Sequence, residues 1–419
     1  MMMSAIGALV GLVLSIVLIV RKLSPVYSLL LGALVGGLLG GLGIEATATT
    51  MVSGVKDITP AIVRILAAGV LSGVLIKSGA AESISHTIVE KLGRKQVYLA
   101  LALSVMLLTA VGVFVDVAVI TVAPVAIMIG RKLGASRFKI LLAMIGGGKC
   151  GNIISPNPNT IIAAENMEAP LSSVMFAGLV PAIIGLLVTV YVIIPLMPNS
   201  DLYTPTSDKE EDGNSTKTLP SFWASVAGPL VAIALLALRP LAGVAIDPLV
   251  ALPVGGIVGI ATTRTWNKAG ESISFGLEKM SVVAVLLVGT GAIAGIIKAS
   301  SLTDLLIGVM GSGEGGRVLL APLAGAIMSA ATASTTAGAT VASASFGQTI
   351  LAAGIPAVWG AAMINAGATV LDHLPHGSFF HATGGSVEMT IKQRLRLIPY
   401  ESLVGLVLAT CSTLAYLLS

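Results

Sequence analysis

Gly146-Gly147-Gly148-Lys149-Cys150-Gly151-Asn152-Ile153-Ile154-Ser155-Pro156-Asn157-Pro158-Asn159-Thr160 is a polar, helix-breaking island inside an apolar run. It returns in disguise later in the chain. Ala143-Met144-Ile145 before it recurs as Ala362-Met363-Ile364, and Pro156 recurs at the same offset as Pro375. The second island is Asn365-Ala366-Gly367-Ala368-Thr369-Val370-Leu371-Asp372-His373-Leu374-Pro375-His376-Gly377-Ser378-Phe379. Paired broken segments in the two halves of a membrane chain point to a transporter's binding site.

Composition fixes the class in which that pattern has meaning. The chain is 55% apolar and 11% charged, with mean hydropathy +0.97, whereas soluble domains carry about 25% charge. Several apolar runs reach the roughly 20 residues that a bilayer core demands. Cys150 and Cys411 sit apart in apolar or broken segments, so neither a disulfide framework nor a zinc site is indicated. No basic residue precedes the first apolar run, and Arg21 and Lys22 follow it. That order predicts an uncleaved first span with its N-terminus outside.

Apolar runs predict helices at about 5–20, 25–42, 60–76, 97–113, 114–130, 140–168 (broken), 174–197, 222–243, 246–262, 280–297, 318–331, 338–352, 357–381 (broken) and 399–418. A hydrophilic linker, 198–221, contains Asp208-Lys209-Glu210-Glu211-Asp212 and separates a first repeat, 1–197, from a second, 222–419. The halves echo one another elsewhere. Gly73 to Lys77 resembles Gly295 to Lys298, each leading into a short amphipathic segment with an acid, Glu82 or Asp304; Leu179-Val180-Pro181 resembles Leu397-Ile398-Pro399. Lys91, Arg94, Lys95, Arg131, Lys132, Arg137 and Lys139 flank 97–130, which places both its ends in the cytoplasm; only Glu314 and Arg317 flank 318–352, which looks external. The expected fold is an all-α polytopic membrane protein of two inverted structural repeats, each with about five transmembrane helices, a re-entrant hairpin and a broken helix. All Lys and Arg except Lys56, Arg64, Lys149, Arg239, Lys298 and Arg317 then fall inside, including the cluster Lys392, Arg394 and Arg396.

Irregular backbone at membrane depth is tolerated only where protein buries it or water reaches it. The Gly146–Gly148 run and the Ser155–Asn159 stretch are expected to unwind the first broken helix near the midplane, with Asn152, Ser155, Asn157 and Asn159 facing a ligand. A half-helix resuming at Thr160 presents free N–H groups to a carboxylate. Asp116 lies in an otherwise apolar stretch, where burial penalises its charged form and suits it to carry a proton. Lys149 either pairs with Asp116 or attracts an anionic substrate. The counterpart of the Asp116 hairpin, Ala333 to Thr340, is uncharged and hydroxyl-rich, with Thr335, Thr336 and Thr340. His373, His376 and His381 cluster beside Asp372, which suggests proton handling; no further ligand set supports a metal.

These motifs resemble the gluconate permease family of the ion transporter superfamily over essentially the whole chain. Gly148 to Glu165 falls on that family's proline-rich break, and Val115-Asp116-Val117 on its acidic hairpin position, usually Glu-Val-Gly. Ala337-Gly338-Ala339-Thr340-Val341-Ala342 is similar to Gly-Ser-Ala-Thr-Val-Ala, and His373 to Phe380 is similar to His-Val-Asn-Asp-Ser-Gly-Phe-Trp. The chain departs from gluconate-type members in carrying Ser-Pro-Asn-Pro-Asn-Thr for Pro-Pro-His-Pro-Gly-Pro, and Pro375-His376 for Asn-Asp. The resemblance implies proton-coupled uptake of small hydroxylated carboxylates and an elevator-like motion of the hairpin domain. The alternative is a sodium-coupled di- or tricarboxylate symporter.

The expected substrate and ion site is Asp116, Gly148, Lys149, Asn152, Ser155, Asn157, Asn159, Thr160, Thr335, Thr336, Thr340, Asn365, Asp372, His373, His376 and Ser378. Expected partners are the lipid bilayer of a bacterial cytoplasmic membrane and a small organic anion. A homodimer is the candidate assembly, with no nucleic acid, cofactor or metal beyond the coupling proton. The chain has no His-Glu-x-x-His and no Gly-x4-Gly-Lys-Ser/Thr, which argues against a metalloprotease and against ATP-driven transport.

Overall fold

The computed structural model describes residues 3–93, 96–203, 219–302, 314–375 and 377–419. Among these, regular structure is helical and no strand forms. The first half runs α1 Ala5–Val20, α2 Pro25–Leu39, α3 Ile44–Asp57, α4 Thr59–Lys77, α5 Ala80–Leu92, α6 Val97–Ala110, α7 Val115–Leu133, α8 Arg137–Asn152, α9 Pro158–Asn166, α10 Leu171–Ala177, α11 Leu179–Val188 and α12 Ile194–Leu196. The second runs α13 Phe222–Ala242, α14 Pro248–Thr263, α15 Ala269–Lys298, α16 Glu314–Thr332, α17 Thr335–Ala352, α18 Ala357–Gly367, α19 Ser378–Ser386, α20 Ile391–Leu395 and α21 Ile398–Leu417. Among the described residues, five helical stretches are long and apolar enough to cross a bilayer: Thr59–Lys77, Leu171–Leu196, Phe222–Arg239, Trp266–Lys298 and Ile391–Leu417.

The 30-residue α15 organises one group of helices. It packs on α2, α3 and α4, and α4 carries α14 and through it α13. Small residues permit these approaches: a Cβ on Gly276 would lie 1.9 Å from the Gly69 carbonyl oxygen, and one on Gly54 would lie 2.1 Å from that of Gly291. Helices in lipid lose no apolar surface to water on association, so this close packing carries much of their attraction.

In the other group, a helical hairpin precedes a broken helix twice. Hairpin α6–α7 leads into α8 and α9; hairpin α16–α17 leads into α18 and α19. At 14 residues, α6 extends about 21 Å, short of a core about 30 Å thick. Gly112 turns the first hairpin at φ +100°, and Ala333 turns the second at φ +46°, a conformation an L-residue adopts only under strain.

The Gly146–Gly148 run does not unwind its helix. Helix α8 continues to Asn152, buried at every residue from Phe138 onward, because these glycines serve packing. A Cβ on Gly147 would lie 2.0 Å from the Ala102 carbonyl oxygen, one on Gly151 2.2 Å from that of Met106, and one on Gly146 2.5 Å from Thr189. The prolines make the break. Asn157, which precedes Pro158, is extended at φ −92°, ψ 171°, and Pro158 opens α9 at a position that needs no N–H.

Helices α3 and α5 add to the expected spans. Both are amphipathic, and α5 carries the expected Glu82; Asp304, the hydrophilic stretch 204–218 and the pair Arg94 and Lys95 lie outside the described residues.

Candidate functional site

The two breaks meet through side chains that are more than two hundred residues apart in sequence. Asn157 caps α9: its Oδ1 accepts from Thr160 N at 3.1 Å and Thr160 Oγ1 at 3.0 Å. Its Nδ2 donates to the Asn152 carbonyl at 3.0 Å and to the Asn152 side-chain oxygen. Asn365 then donates to Thr160 Oγ1 at 3.0 Å and accepts from Asn159 Nδ2 at 2.6 Å. All five residues are buried, so the ladder satisfies amides that would otherwise be costly orphans in an apolar interior.

Lys149 is fully buried and does not pair with Asp116. Its ammonium donates to Asp372 Oδ1 at 2.7 Å and to the Thr369 carbonyl at 2.5 Å, with His373 Nδ1 at 3.1 Å and the Glu401 carbonyl at 3.5 Å. It neutralises a buried carboxylate and satisfies carbonyls just beyond the end of α18, where helical partners run out. His373 Nε2 lies 3.1 Å from the Ile398 carbonyl, which only accepts. Its Nδ1 also lies 3.0 Å from Asp372 Oδ1, so the ring bridges that carboxylate and the first turn of α21. Behind it the Arg394 guanidinium grips both oxygens of Glu401, donates to the Phe380 carbonyl at 3.2 Å and lies over the Phe380 ring. Two buried cations thus face two buried anions.

Arg394 and Glu401 escaped the sequence reading. Arg394 stood with Lys392 and Arg396 in a cytoplasmic basic cluster, yet it is 1% exposed. The available signal was Glu401, an acid inside the last apolar run, which requires a partner at membrane depth.

A cavity of about 280 Å³ lies beside these breaks. Phe114 to Val117 of the first hairpin tip and Ala333 to Thr336 of the second line it, with Asn152, Asp372, Ser378 and Phe379 from the breaks and Lys279, Val282 and Val283 from α15. The structure therefore brings Asp116, Asn152, Thr335, Thr336, Asp372 and Ser378 to one wall system. Thr335 Oγ1 donates to Asp372 Oδ2 at 2.5 Å, joining hairpin tip to break. Asp116 accepts from Val117 N at 2.9 Å.

The other expected residues stand behind this wall. Thr340 is buried within α17, donating to the Thr336 carbonyl. Gly148 packs against Val115. Ser155 is buried with no hydrogen-bond partner for its hydroxyl among the described residues. His381 is turned out toward the Pro375 carbonyl at 2.9 Å; His376 lies outside the described residues.

A second cavity, about 470 Å³, is lined by Arg64, Glu165, Glu168, Arg239 and Asp247. Arg64 there ties α9 to the α13–α14 connection, through Glu165 and, at 2.8 Å, Asp247. The Arg64 hydrogen bond holds the Asp247 carboxyl below its ordinary value. This cavity's central charges are spent on one another, and no hairpin tip reaches it.

Known proteins are similar to this chain in sequence and in fold. An uncharacterized transporter of Haemophilus influenzae is 54% identical over 413 residues, 99% of this chain and 98% of its own length. The gluconate permease of Pseudomonas aeruginosa is 25% identical over 360 residues, and the D-serine transporter DsdX of Escherichia coli K12 is 25% identical over 350, each match covering 78% of both chains. The YdaH transporter of Alcanivorax borkumensis shares the fold, with a TM-score of 0.62 at 16% identity across 90% of this chain and 89% of that one. The profile described as GntP family permease matches residues 3–419. The chain therefore belongs to the GntP family of permeases, and is a membrane transporter rather than an enzyme.

Proposed function

We propose that the protein is a proton-coupled secondary transporter that takes up a small hydroxylated organic anion, gluconate or a related hydroxy acid, across a bacterial cytoplasmic membrane. One observation carries this reading: both hairpin tips and both helix breaks converge on one cavity. At about 280 Å³ it falls at or below the low end of ligand pockets, about 300–1,000 Å³, and suits a compact substrate. Hydroxyls of Ser334, Thr335, Thr336 and Ser378 and the Asn152 amide line it, groups matched to a hydroxylated molecule.

The repeated order of hairpin and broken helix supports two repeats of opposite orientation, which would give each membrane face one hairpin. The cavity lies on the side of Lys279, which the distribution of basic residues assigns to the cytoplasm, so we assign this conformation to the inward-facing stage. In our reading Asp116 carries the proton, and the group built on the hairpins and breaks moves against the group built on α15.

Purified protein in liposomes tests this directly. Gluconate, L-idonate and D-serine, the substrates named for family relatives, are offered under an inward proton gradient and, separately, a sodium gradient at fixed pH. Accumulation driven by protons supports the reading. Accumulation that tracks sodium contradicts the coupling, and uptake of none of the three contradicts the transport assignment to this substrate class.

A further inference from the structure

We propose that Lys279 is the residue that binds the substrate's carboxylate, and that the substrate anion and the Asp116 carboxylate compete for its one ammonium group. This rests on the transport reading above and deepens it.

Among the described residues, three charged side chains line the cavity: Asp116 from α7, Lys279 from α15 and Asp372 from the second break. Helices α5, α6, α8 and α19, which also pack against α7, add none to its wall. Asp372 is committed, with one oxygen on Lys149 and the other on Thr335. Lys149, the cation that the sequence offered to an anionic substrate, is committed as well, sealed at 0% exposure among four partners. Lys279 is different. It is exposed to the cavity mouth and, among the described residues, has no ion-pair partner; its ammonium lies 5.5 Å from the centre of the Phe275 ring. A free ammonium in a hydroxyl-lined cavity is the natural complement of a carboxylate bearing hydroxyl groups.

Its place in the fold adds a consequence. Lys279 belongs to α15, whereas every polar residue opposite it belongs to the hairpin tips and breaks. A carboxylate held by Lys279 with hydroxyls on Ser334, Thr336 or Ser378 bridges the two helix groups. Asp116, the only acid on the wall without an ion-pair partner among the described residues, draws on the same ammonium. When Asp116 takes a proton, Lys279 is left entirely to the anion. Proton and anion therefore favour each other's binding, and by linkage each raises the other's affinity by the same factor. That mutual preference is what symport requires.

The test uses purified full-length protein and whichever of gluconate, L-idonate and D-serine the wild type takes up, with the carboxamide of that compound, which lacks the carboxylate charge, as second probe. Lys279→Gln should weaken binding of the carboxylate about ten- to a hundredfold, the range for one charge-assisted contact, and leave amide binding unchanged. Lys279→Arg should stay within about threefold of wild type for the carboxylate, since it keeps the charge. Wild-type affinity should rise as pH falls, and Asp116→Asn should show the high affinity in acidic and alkaline buffer alike. Carboxylate binding by Lys279→Gln equal to wild type, as expected of a lysine that merely reaches lipid headgroups, overturns the assignment. So does equal loss of carboxylate and amide. Persistent pH dependence in Asp116→Asn overturns the competition. Uptake of none of the three by wild type ends the transport reading and this assignment together, an outcome distinct from failure of Lys279 alone.

Discussion

Replacing Lys149 with methionine, which fills similar space without the charge, should damage folding before it damages recognition. The ammonium is fully buried and makes contacts of 2.7 Å to Asp372 and 2.5 Å to the Thr369 carbonyl. Without it, Asp372 keeps only its Thr335 contact and the neighbouring His373, and Thr369 loses the ammonium that its carbonyl accepts from. Breaking one side of a buried ion pair typically costs about 3–5 kcal/mol, most of it the penalty for the stranded charge. Against a total stability of about 5–15 kcal/mol, this is a severe loss. Adding Asp372→Asn removes the stranded charge, so the double variant should recover a large part of it. The assay is reversible unfolding in mixed micelles titrated with a denaturing detergent, run as a double-mutant cycle. A Lys149→Met protein as stable as wild type that has lost only substrate binding would refute this reasoning and restore the anion-attracting role that the sequence suggested.

Four further outcomes follow from the same contacts. Asn157→Ala removes the cap of α9 and should cost about 0.5–2 kcal/mol of stability together with loss of uptake, whereas Asn157→Asp, which can still accept from Thr160 N, should retain more of both. Gly147→Val places a side chain where a Cβ already lies 2.0 Å from the Ala102 carbonyl; forcing α6 from α8 should cost at least about 1–3 kcal/mol and lower the yield of monodisperse protein in size-exclusion chromatography. Ala333→Gly should relieve the left-handed strain at the second hairpin tip and raise the melting temperature; an unchanged or lower melting temperature would refute that strain. For Asp247, the folded value is depressed, so its contribution is present above the ordinary carboxylate range and is lost only as pH falls below it. Resistance to a denaturing detergent should therefore fall in strong acid but not in mild acid, and Arg64→Gln should reduce that fall.

Much of the architecture was legible because membrane physics leaves strong local marks. Pro156, Pro158 and Pro375 stand among polar and glycine residues inside apolar runs, and that combination showed both breaks in the sequence, whereas Pro124 and Pro253, in apolar surroundings, lie within helices. Asp116 and the Thr335–Thr336 pair stood out as polar residues between apolar helices, and both line the cavity. Partnerships did not show. Lys149 meets Asp372 across 223 residues, and its local neighbours gave Asp116 as the nearer candidate. Gly146–Gly148 has the composition of a hinge and the use of a packing seam, a distinction made by Ala102 and Thr189 on other helices. Arg394 sits between two cationic neighbours that suggest a solvated face, and only the fold places Glu401 against it. Lys279 looked like one more cytoplasmic lysine, because nothing in its own helix reveals that the hairpin tips stand opposite.

The central claim is that both hairpin tips and both breaks enclose one substrate site, and site-directed labelling tests it most directly. In a background with Cys411 replaced by serine and buried Cys150 retained, single cysteines are placed at Val117 on the first tip, Ser334 on the second, and Glu168 in the other cavity. Labelling by a small maleimide is followed with and without the transported compound. The account predicts that substrate slows labelling at both Val117 and Ser334 and leaves Glu168 unchanged. Protection at Glu168 alone, or at one hairpin tip without the other, would contradict it.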